Sequence, residues 1–437
     1  MEPLITPINP LREHPLRHVL NNEVHARPPV SVAVPEQVSF LALLQRGTSP
    51  EQESAHLARL GERLGVALPI KDGAHLVVDF PAFRLKWERH NEFSSYYFFR
   101  KPQPDDLPEA TALSAVPADW LGGIPGQLLV ATHVEYRSVR EMAPEAVRAR
   151  YRQSGPAAVG ARVADGGGWV FTDFLIGPDG YSRFVLLDDG MTRRQAGRTI
   201  QRLVEIETYR MMALLALPKA KEVGKLISRA EQDLAKLMRQ MGENNNPDDE
   251  REVLQNLTNL ASEVEASLAR TSFRFGAGAA YHRLVQQRIA DLREERLPHM
   301  PPIGEFMERR LSPAMATCAA IARRQEELSA RISRSSQLLR TRVDIELERQ
   351  NQELLGQMNK RAKLQLRLQE TVEGLSVVVL TYYGSQLVQY LAKGTKDLHH
   401  ASPDVITAIS IPVIACLVAW GTHRMRKALA AEEGQGH

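Results

Sequence analysis

The chain has 437 residues, 43% of them hydrophobic and 24% charged, which is enough to bury a sizeable core in two or three units. Its formal net charge of +3 is too small to predict a nucleic-acid partner. Its two cysteines, Cys318 and Cys416, form neither a disulfide framework nor a zinc-binding spacing, and they suit a reducing cytoplasm.

The N-terminal residues form a proline-rich arm. A short helix is predicted at residues 16–24. The following His25-Ala26-Arg27-Pro28-Pro29 favours an extended path, because a residue that precedes proline avoids the α region. We expect this arm to lie across the first domain. It has no apolar run behind a basic start, so no signal peptide is expected.

Strand and helix patterns alternate after the arm. Residues 38–45 predict a buried strand, and Ser49-Pro50-Glu51 has the residue types that begin a helix. Three short strands are predicted at residues 76–80, 83–89 and 94–99. Polar and apolar residues alternate along the second of these, which predicts an antiparallel sheet with one solvent-exposed face. The alternating polar residues are Arg84, Lys86, Glu88 and His90.

A second series of strand and helix patterns follows. Residues 127–137 predict a strand and residues 139–151 a helix. Residues 169–176 and 181–187 flank Gly177-Pro178-Asp179-Gly180, a turn sequence in which proline fixes one φ and glycine supplies a positive φ. This is the clearest hairpin pattern in the chain. The order is compatible with two related strand–helix–strand units.

The pattern is wholly helical from Thr192 onward. One helix should end at Pro218, a second at residues 242–246, and a third should begin at Pro247, where proline and the acidic residues after it favour a helix start. A fourth helix is predicted around residues 281–296. We expect these helices to bundle beside the helix that follows.

A helical pattern without proline runs from Ala314 to Ser402. A single helix from Pro313 to about Leu391 would be about 120 Å long. An ordinary globular core could not enclose such a helix, so we expect it to pack lengthwise on partners.

Two uncharged apolar segments follow this stalk pattern, at residues 375–392 and 405–421. Each lies near the lower end of the roughly 17–25 residues that span a bilayer, and a buried soluble helix pair is the alternative. Basic residues flank the pair on the outside, which predicts a hairpin with both termini in the cytoplasm. The flanking residues are Lys360, Arg361, Lys363 and Arg367 before the pair, and His423, Arg424, Arg426 and Lys427 after it.

The lower part of the stalk carries a coiled-coil seam. Alternating four- and three-residue steps place apolar residues on one face, with Arg361 and Gln365 as polar members. Burial of this face between copies predicts a homo-oligomer. In the competing account the preceding helices cover the same face within one chain. The apolar seam residues are Leu354, Met358, Leu368, Val372 and Leu375.

The sequence therefore predicts an α+β N-terminal domain, then an all-α bundle with a very long stalk helix and a C-terminal two-helix transmembrane hairpin. The predicted divisions are the α+β cytoplasmic domain at 1–190, the helical bundle at 191–311, the stalk at 312–374, the hairpin at 375–427 and a polar tail at 428–437.

Three stretches of the chain are similar to a known family. They read LNNEVHARP at residues 20–28, FRLKWERHNEFS at 83–94 and ETVEGLSVV at 370–378. Together they resemble the bacterial family of predicted membrane-anchored proteins of unknown function, domain-of-unknown-function family 3422. The resemblance runs along almost the whole chain. It implies a C-terminal anchor in the bacterial inner membrane and carries no established activity.

Ionisable residues of the arm and of the second strand region are the candidate site residues. If they converge, they form a polar cluster suited to a metal, an anion or proton transfer. The alternative is structural, with His25 and Arg27 tying the arm down and the strand residues forming a solvated face. The sequence does not identify a cofactor. The candidates are Glu23, His25, Arg27, Glu88, Arg89, His90 and Glu92.

Familiar catalytic motifs are missing from the sequence. No GxSxG, HExxH or CxxC occurs, so hydrolase, zincin and thiol-redox activities have no motif behind them. Gly276-Ala277-Gly278-Ala279-Ala280 lacks the lysine and the preceding strand of a phosphate loop. This stretch favours close helix packing instead.

The leading functional hypothesis is a non-enzymatic, membrane-anchored oligomeric scaffold or sensor that presents the α+β domain in the cytoplasm. Its expected partners are the lipid bilayer, further copies of the chain and an unidentified ion or small molecule.

The alternative is a channel or transporter for divalent cations, because the layout is similar to that of CorA-like magnesium channels. The Gly-Met-Asn signature of those channels is missing here. A polar face on the first apolar segment could line a pore or join helices. That face comprises Thr381, Tyr382, Ser385, Gln386 and Gln389. A membrane-bound enzyme acting through the His25 and His90 region is the third hypothesis.

Overall fold

The computed structural model describes residues 14–18, 20–21, 29–68, 74–153, 158–243, 247–394 and 402–433. The chain divides into two compact units. The first comprises Met1–Glu243 and Gln255–Ser335, and the second comprises Asn244–Leu254 and Ser336–His437. The N-terminal part is rich in β-structure and the remainder is mostly helical, as the sequence predicts.

One mixed sheet organises the first unit. Its strands in the described chain are β1 (Glu36–Leu44), β2 (His75–Asp79), β3 (Arg84–Arg89), β4 (Phe93–Arg100), β5 (Gln127–Ser138), β6 (Val159–Val163), β7 (Gly168–Thr172), β8 (Ser182–Asp188) and β9 (Glu295–Arg296). Their spatial order is β2-β3-β4-β1-β5-β8-β7-β6-β9. Neighbouring strands are antiparallel except β5 and β8, which are parallel.

The sheet has two halves with the same element order. In one half, β1 precedes α1 (Pro50–Leu64) and three strands, and in the other β5 precedes α3 (Pro144–Arg152) and three strands, with α2 (Ala118–Gly122) between the halves. The strand directions differ, because β4 is antiparallel to β1 whereas β8 is parallel to β5. The halves are therefore similar in order and different in topology.

The predicted hairpin is confirmed, since β7 and β8 pair antiparallel. Gly180 adopts a φ of 86°, and its N–H donates to the Gly177 carbonyl at 2.9 Å. Two strands fall outside the predicted pattern. The residues of β6 include glycine and alanine, which give a weak strand signal, and β9 comes from the part of the chain predicted as helical bundle.

Two layers cover one face of the sheet, which we call the first face. At one end, Leu57 and Leu60 of α1 and Trp120 of α2 pack on strand residues such as Leu85. At the other end, Val147 of α3 packs with residues of β7 and β8. The centre of this face, above β1, β5 and β8, lies between these two layers.

Helix α4 (Arg193–Leu214) covers the opposite face, called the second face. Residues 30–32, which follow the predicted arm, lie across this helix, and most of the arm itself falls outside the described residues. The Val32 N–H donates to the Arg193 carbonyl at 3.1 Å. At Gly197 a Cβ atom would lie 1.8 Å from the Val30 carbonyl oxygen, so only glycine allows this approach.

The strand face predicted to be exposed to solvent is buried. The Lys86 and Glu88 side chains are each 3% exposed and form an ion pair of 3.1 Å on the second face. Glu205 and Tyr209 of α4 line a small cavity with Glu88. The prediction is wrong because alternation of polar and apolar residues separates two faces of a strand and does not identify what covers them.

The helical part contains α5 (Ala216–Glu243), α6 (Pro247–Leu292), α7 (Ile303–Arg310), α8 (Ser312–Gly394) and α9 (Pro403–Glu433). The third and fourth predicted helices are one helix of 46 residues, α6, because the stretch around Gly276 is itself helical. At Gly278 a Cβ atom would lie 2.9 Å from Ala216 Cβ. Close helix packing is thus confirmed at this stretch.

The predicted long helix is confirmed as α8, which has 83 residues. In the first unit, Leu328 and Ile332 of α8 are buried, and Gln325 Nε2 donates to Ser267 Oγ of α6 at 3.0 Å. In the second unit, Arg342 of α8 pairs with Glu250 of α6 at 2.8 Å. The part of α8 between Gln325 and Arg342 therefore contacts α6 within each unit.

One helical segment of the described chain, Asp404–Met425 in α9, is long and apolar enough to cross a membrane, with a mean hydropathy of 2.1. The sequence predicted two such segments. The first continues α8 and is less apolar, since it contains Gln386, Gln389 and several tyrosines. At Gly384 in that segment a Cβ atom would lie 3.0 Å from Ile414 Cγ2 of α9.

Candidate functional site

Arg89, one of the predicted site residues, forms a buried ion pair on the first face. Its Nη1 lies 3.1 Å from Oε2 of Glu53, whose side chain is fully buried in α1. Ser94 Oγ donates to the same carboxylate at 2.9 Å. Burial raises the pKa of Glu53, and the hydrogen bond from Ser94 and the charge of Arg89 oppose that rise. These contacts join α1 to the sheet.

Of the other described candidates, Glu88 and His90 line one small cavity, whereas Glu92 contacts a different helix. Glu92 accepts two hydrogen bonds from Arg274 of α6, at 2.8 and 3.1 Å, and so ties the β3–β4 turn to that helix. His90 stacks on Phe93 with ring centroids 4.4 Å apart. Glu88 faces α4 beside Lys86, as described above. The structure does not bring Glu88, Arg89 and Glu92 together at one point.

The remaining candidates, Glu23, His25 and Arg27, lie outside the described residues. Within the described part of the chain, no group of three His, Cys, Asp or Glu side chains is placed to hold a metal ion.

A cleft of about 920 Å³ opens on the first face, between the layers that cover its two ends. Its floor is formed by β1, β5 and β8, whose side chains alternate between the two faces. The strand register places Ser39 opposite His133, and His133 beside Arg183. The loop at residues 102–112 and α3 form walls. The polar floor residues are Gln37, Ser39, His133, Glu135, Arg137 and Arg183.

His133 is the most strongly perturbed titratable group of this cleft. Its Nδ1 lies 2.8 Å from Ser39 Oγ, and its ring stacks on Tyr181 with centroids 4.1 Å apart. Burial, together with the nearby positive charge of Arg183, lowers the pKa of His133 to about 4. The imidazole is therefore neutral at neutral pH and can donate one hydrogen bond and accept another.

The hydrogen bond between Ser39 and His133 resembles that between a catalytic serine and its general base. The resemblance does not extend beyond this hydrogen bond. Ser39 is 0% exposed and lies in the middle of β1, so its hydroxyl cannot reach a substrate in the cleft. Its contact instead fixes the orientation of the imidazole ring. The geometry supports ligand binding better than covalent catalysis.

Arginines in the cleft differ in how far their hydrogen-bonding capacity is used. Arg183 Nη1 donates to Asp179 Oδ1 at 3.1 Å and its Nη2 donates to the other carboxylate oxygen. Arg137 donates from Nε to Glu135 at 3.1 Å. Arg150 of α3 is exposed and makes no ion pair with any described residue. Two of the three guanidinium groups thus keep donors that can reach a ligand.

None of the predicted site residues that the structure describes, Glu88, Arg89, His90 and Glu92, lines this cleft. A local signal for it exists in β5, where His133, Glu135 and Arg137 occupy every second position and alternate with Val134 and Tyr136. Three polar residues with period two on a central strand are unusual if that face is covered. The residues of β1 and β8 that lie beside them show no comparable pattern in the sequence. They become neighbours of the β5 residues only through the strand register.

The family predicted from three sequence stretches is confirmed by the comparisons with known proteins. A family model described as protein of unknown function (DUF3422) matches residues 12–429. A search of the curated proteins found no match. Because the family model covers most of the chain, the chain belongs to the DUF3422 family.

Proposed function

We propose that this protein is an oligomeric sensor anchored in the bacterial inner membrane, with its α+β unit in the cytoplasm and a ligand site in the cleft. The observation that carries the proposal is the continuity of α8 from Ser312 to Gly394. Buried core residues such as Ile332, the exposed apolar seam and an uncharged apolar segment follow one another along this single helix.

The seam supports self-association. Its apolar side chains are between 57% and 67% exposed, so the described part of the same chain leaves them uncovered. Burying each one fully between copies is worth roughly 1.5–3 kcal/mol before the entropy of association is subtracted. A second copy that presents the same face offers matching apolar residues at the same spacing. The seam residues are Leu354, Met358, Leu368, Val372 and Leu375.

The contact between Gly384 and Ile414 supports a membrane hairpin. Each residue lies near the middle of its apolar segment, so the contact sets the two segments at the same depth. Ser385 beside it is 7% exposed, and small residues of this kind allow close approach of membrane helices. The basic residues that flank both segments then fall on one side, which favours a topology with both termini in the cytoplasm.

Truncation tests the anchor. A chain that ends before Gly374 should be soluble and should keep its α+β fold, whereas the full chain should stay with membranes through a carbonate wash. A folded truncated chain that still sediments with washed membranes would refute the anchor. For topology, a cysteine at Thr395 should react with an impermeant reagent from outside the cell, and one at Ala430 should not.

An ion channel is a second candidate, favoured by the polar residues of the first apolar segment. Thr381, Gln386 and Gln389 are only partly exposed in α8. In an oligomer they would face either neighbouring helices or water. Flux of divalent cations into vesicles that contain the purified protein would favour the channel, and sealed vesicles would favour the sensor.

A further inference from the structure

The geometry points to an oxyanion site in the cleft above β1, β5 and β8, and we propose that its ligand is a small organic molecule with a carboxylate or phosphate group. This inference rests on the proposed role of the cleft as the ligand site of the sensor. It does not depend on membrane anchoring or on self-association.

The α3 wall and the adjacent floor each supply one cationic donor group, Arg150 and Arg137. Arg150 is exposed, lines the cleft and has no ion-pair partner among the described residues. Arg137 lies on the adjacent floor and binds Glu135 through Nε alone, which leaves its two terminal nitrogens without a described partner. Planar guanidinium groups with free paired donors match carboxylate and phosphate oxygens.

Most acidic groups of the cleft are already neutralised. Asp179 is held by Arg183 through both oxygens. Asp106 accepts hydrogen bonds from Arg100 and from the Gln103 N–H, the latter at 2.7 Å. Glu135 pairs with Arg137. The unpaired positive charge is therefore concentrated at the α3 wall.

Glu109 is the remaining acidic group that lines the cleft. It is exposed, belongs to the loop at residues 102–112 and makes no ion pair within the described chain. A ligand anion bound at α3 would experience repulsion from this carboxylate, so removing the charge of Glu109 should not weaken binding. The direction of this change in affinity distinguishes an anion site from a cation site. At a cation site, removing the charge of Glu109 would weaken binding.

Neutral hydrogen-bonding groups complete the site. His133 stays uncharged and is oriented by Ser39. Tyr151 lines the cleft next to Arg150, and burial raises the pKa of its phenol to about 12, so the hydroxyl keeps its proton as a donor. The volume of about 920 Å³ is near the upper end of the roughly 300–1,000 Å³ typical of small-molecule sites. Inorganic phosphate would fill only part of it, which favours an organic anion.

Isothermal titration calorimetry on the full chain in detergent micelles tests the proposal. Inorganic phosphate and malonate are titrated separately at constant ionic strength. We expect saturable millimolar binding of at least one probe. Arg137→Gln and Arg150→Gln should each weaken it at least tenfold. Arg152→Gln, which removes the same charge from the same helix outside the cleft, should leave it unchanged, and Glu109→Gln should leave it unchanged or tighten it.

The outcomes separate the possible ligands. Binding of phosphate alone assigns a phosphate group, binding of malonate alone assigns a carboxylate, and either result supports the site. No saturable binding of either probe, or equal binding by the wild type and Arg150→Gln, would overturn it. A carbonate wash and light scattering on the same protein report on anchoring and assembly, so failure of the anion site is distinguishable from failure of the proposed function.

Discussion

Lys86 and Glu88 show how a single pair of residues stabilises the layer between the sheet and α4. Both are charged, both are nearly inaccessible, and Lys86 Nζ also lies 5.1 Å from the centre of the Tyr97 ring. Removing two charges from water is costly, and their mutual attraction repays that cost only while both are present. The pair is therefore more sensitive to loss of one partner than to loss of both.

We predict that Lys86→Met lowers the free energy of unfolding by about 3–5 kcal/mol, because it removes the cation that pairs with the buried Glu88 carboxylate. The double variant Lys86→Met with Glu88→Leu should recover most of this loss, since two apolar side chains need no partner. Urea unfolding of the three proteins measures both effects. A single variant as stable as the wild type would show that the pair is open to solvent.

His133 predicts a dependence of stability on pH. Its pKa is about 4 in the folded protein and about 6.5 in the unfolded chain, so only the unfolded chain takes up a proton between these values. The contribution of His133 is fully present above pH 6.5 and is lost as the pH falls towards 4. The loss is on the order of 3 kcal/mol.

The control for this effect is His133→Asn, whose amide can replace the hydrogen bond to Ser39. Carboxylates with raised pKa values, such as Glu36 and Glu294, influence both proteins alike. The urea midpoint of the wild type should therefore fall relative to that of the variant as the pH falls from 6.5 to 4. A constant difference across this range would show that His133 is solvated in the folded state.

At the scale of elements, Gly276 and Gly278 of α6 occupy different environments two residues apart. A Cβ atom at Gly278 would lie 2.9 Å from Ala216 Cβ and 3.3 Å from the Ala213 carbonyl oxygen. A Cβ atom at Gly276 would have no neighbour within 4 Å. The same substitution should therefore have opposite effects at the two positions.

Gly276→Ala should raise the free energy of unfolding by about 0.8–1 kcal/mol, because alanine has the higher helix propensity and meets no obstacle. Gly278→Ala should lower it by roughly 1 kcal/mol or more, because the added methyl group forces α6 away from α5. Urea midpoints of the two variants provide the measurement. Stabilisation by both would mean that the helices are separated at Gly278.

The sequence predicts elements here better than it predicts the site. Local periodicity and capping residues identify β1, α1, the β7–β8 hairpin and the unbroken α8. Ser49 and Gln52, for instance, form the reciprocal capping box that begins α1. The cleft depends instead on contacts such as Ser39 with His133, which are 94 residues apart. No local pattern specifies which strands become neighbours, and so the prediction grouped Glu88 with Arg89, which lie on opposite faces of the sheet.

At the scale of the whole molecule, we expect the chain to self-associate through the lower part of α8. The seam residues repeat with a period near seven, and each is exposed in the single chain. Ile345 and Leu366 share this exposure but lie on the opposite side of the helix by the same period. Changing both to aspartate is a matched control for the seam variant, because each double variant replaces two exposed apolar residues of α8.

The most direct test is the mass of the detergent-solubilised full chain by size-exclusion chromatography with light scattering. The wild type and the Ile345→Asp, Leu366→Asp control should contain more than one copy. The Leu354→Asp, Leu368→Asp variant should contain one copy and keep the circular dichroism of a folded α+β unit. A wild-type protein that elutes with the mass of a single chain would contradict the account.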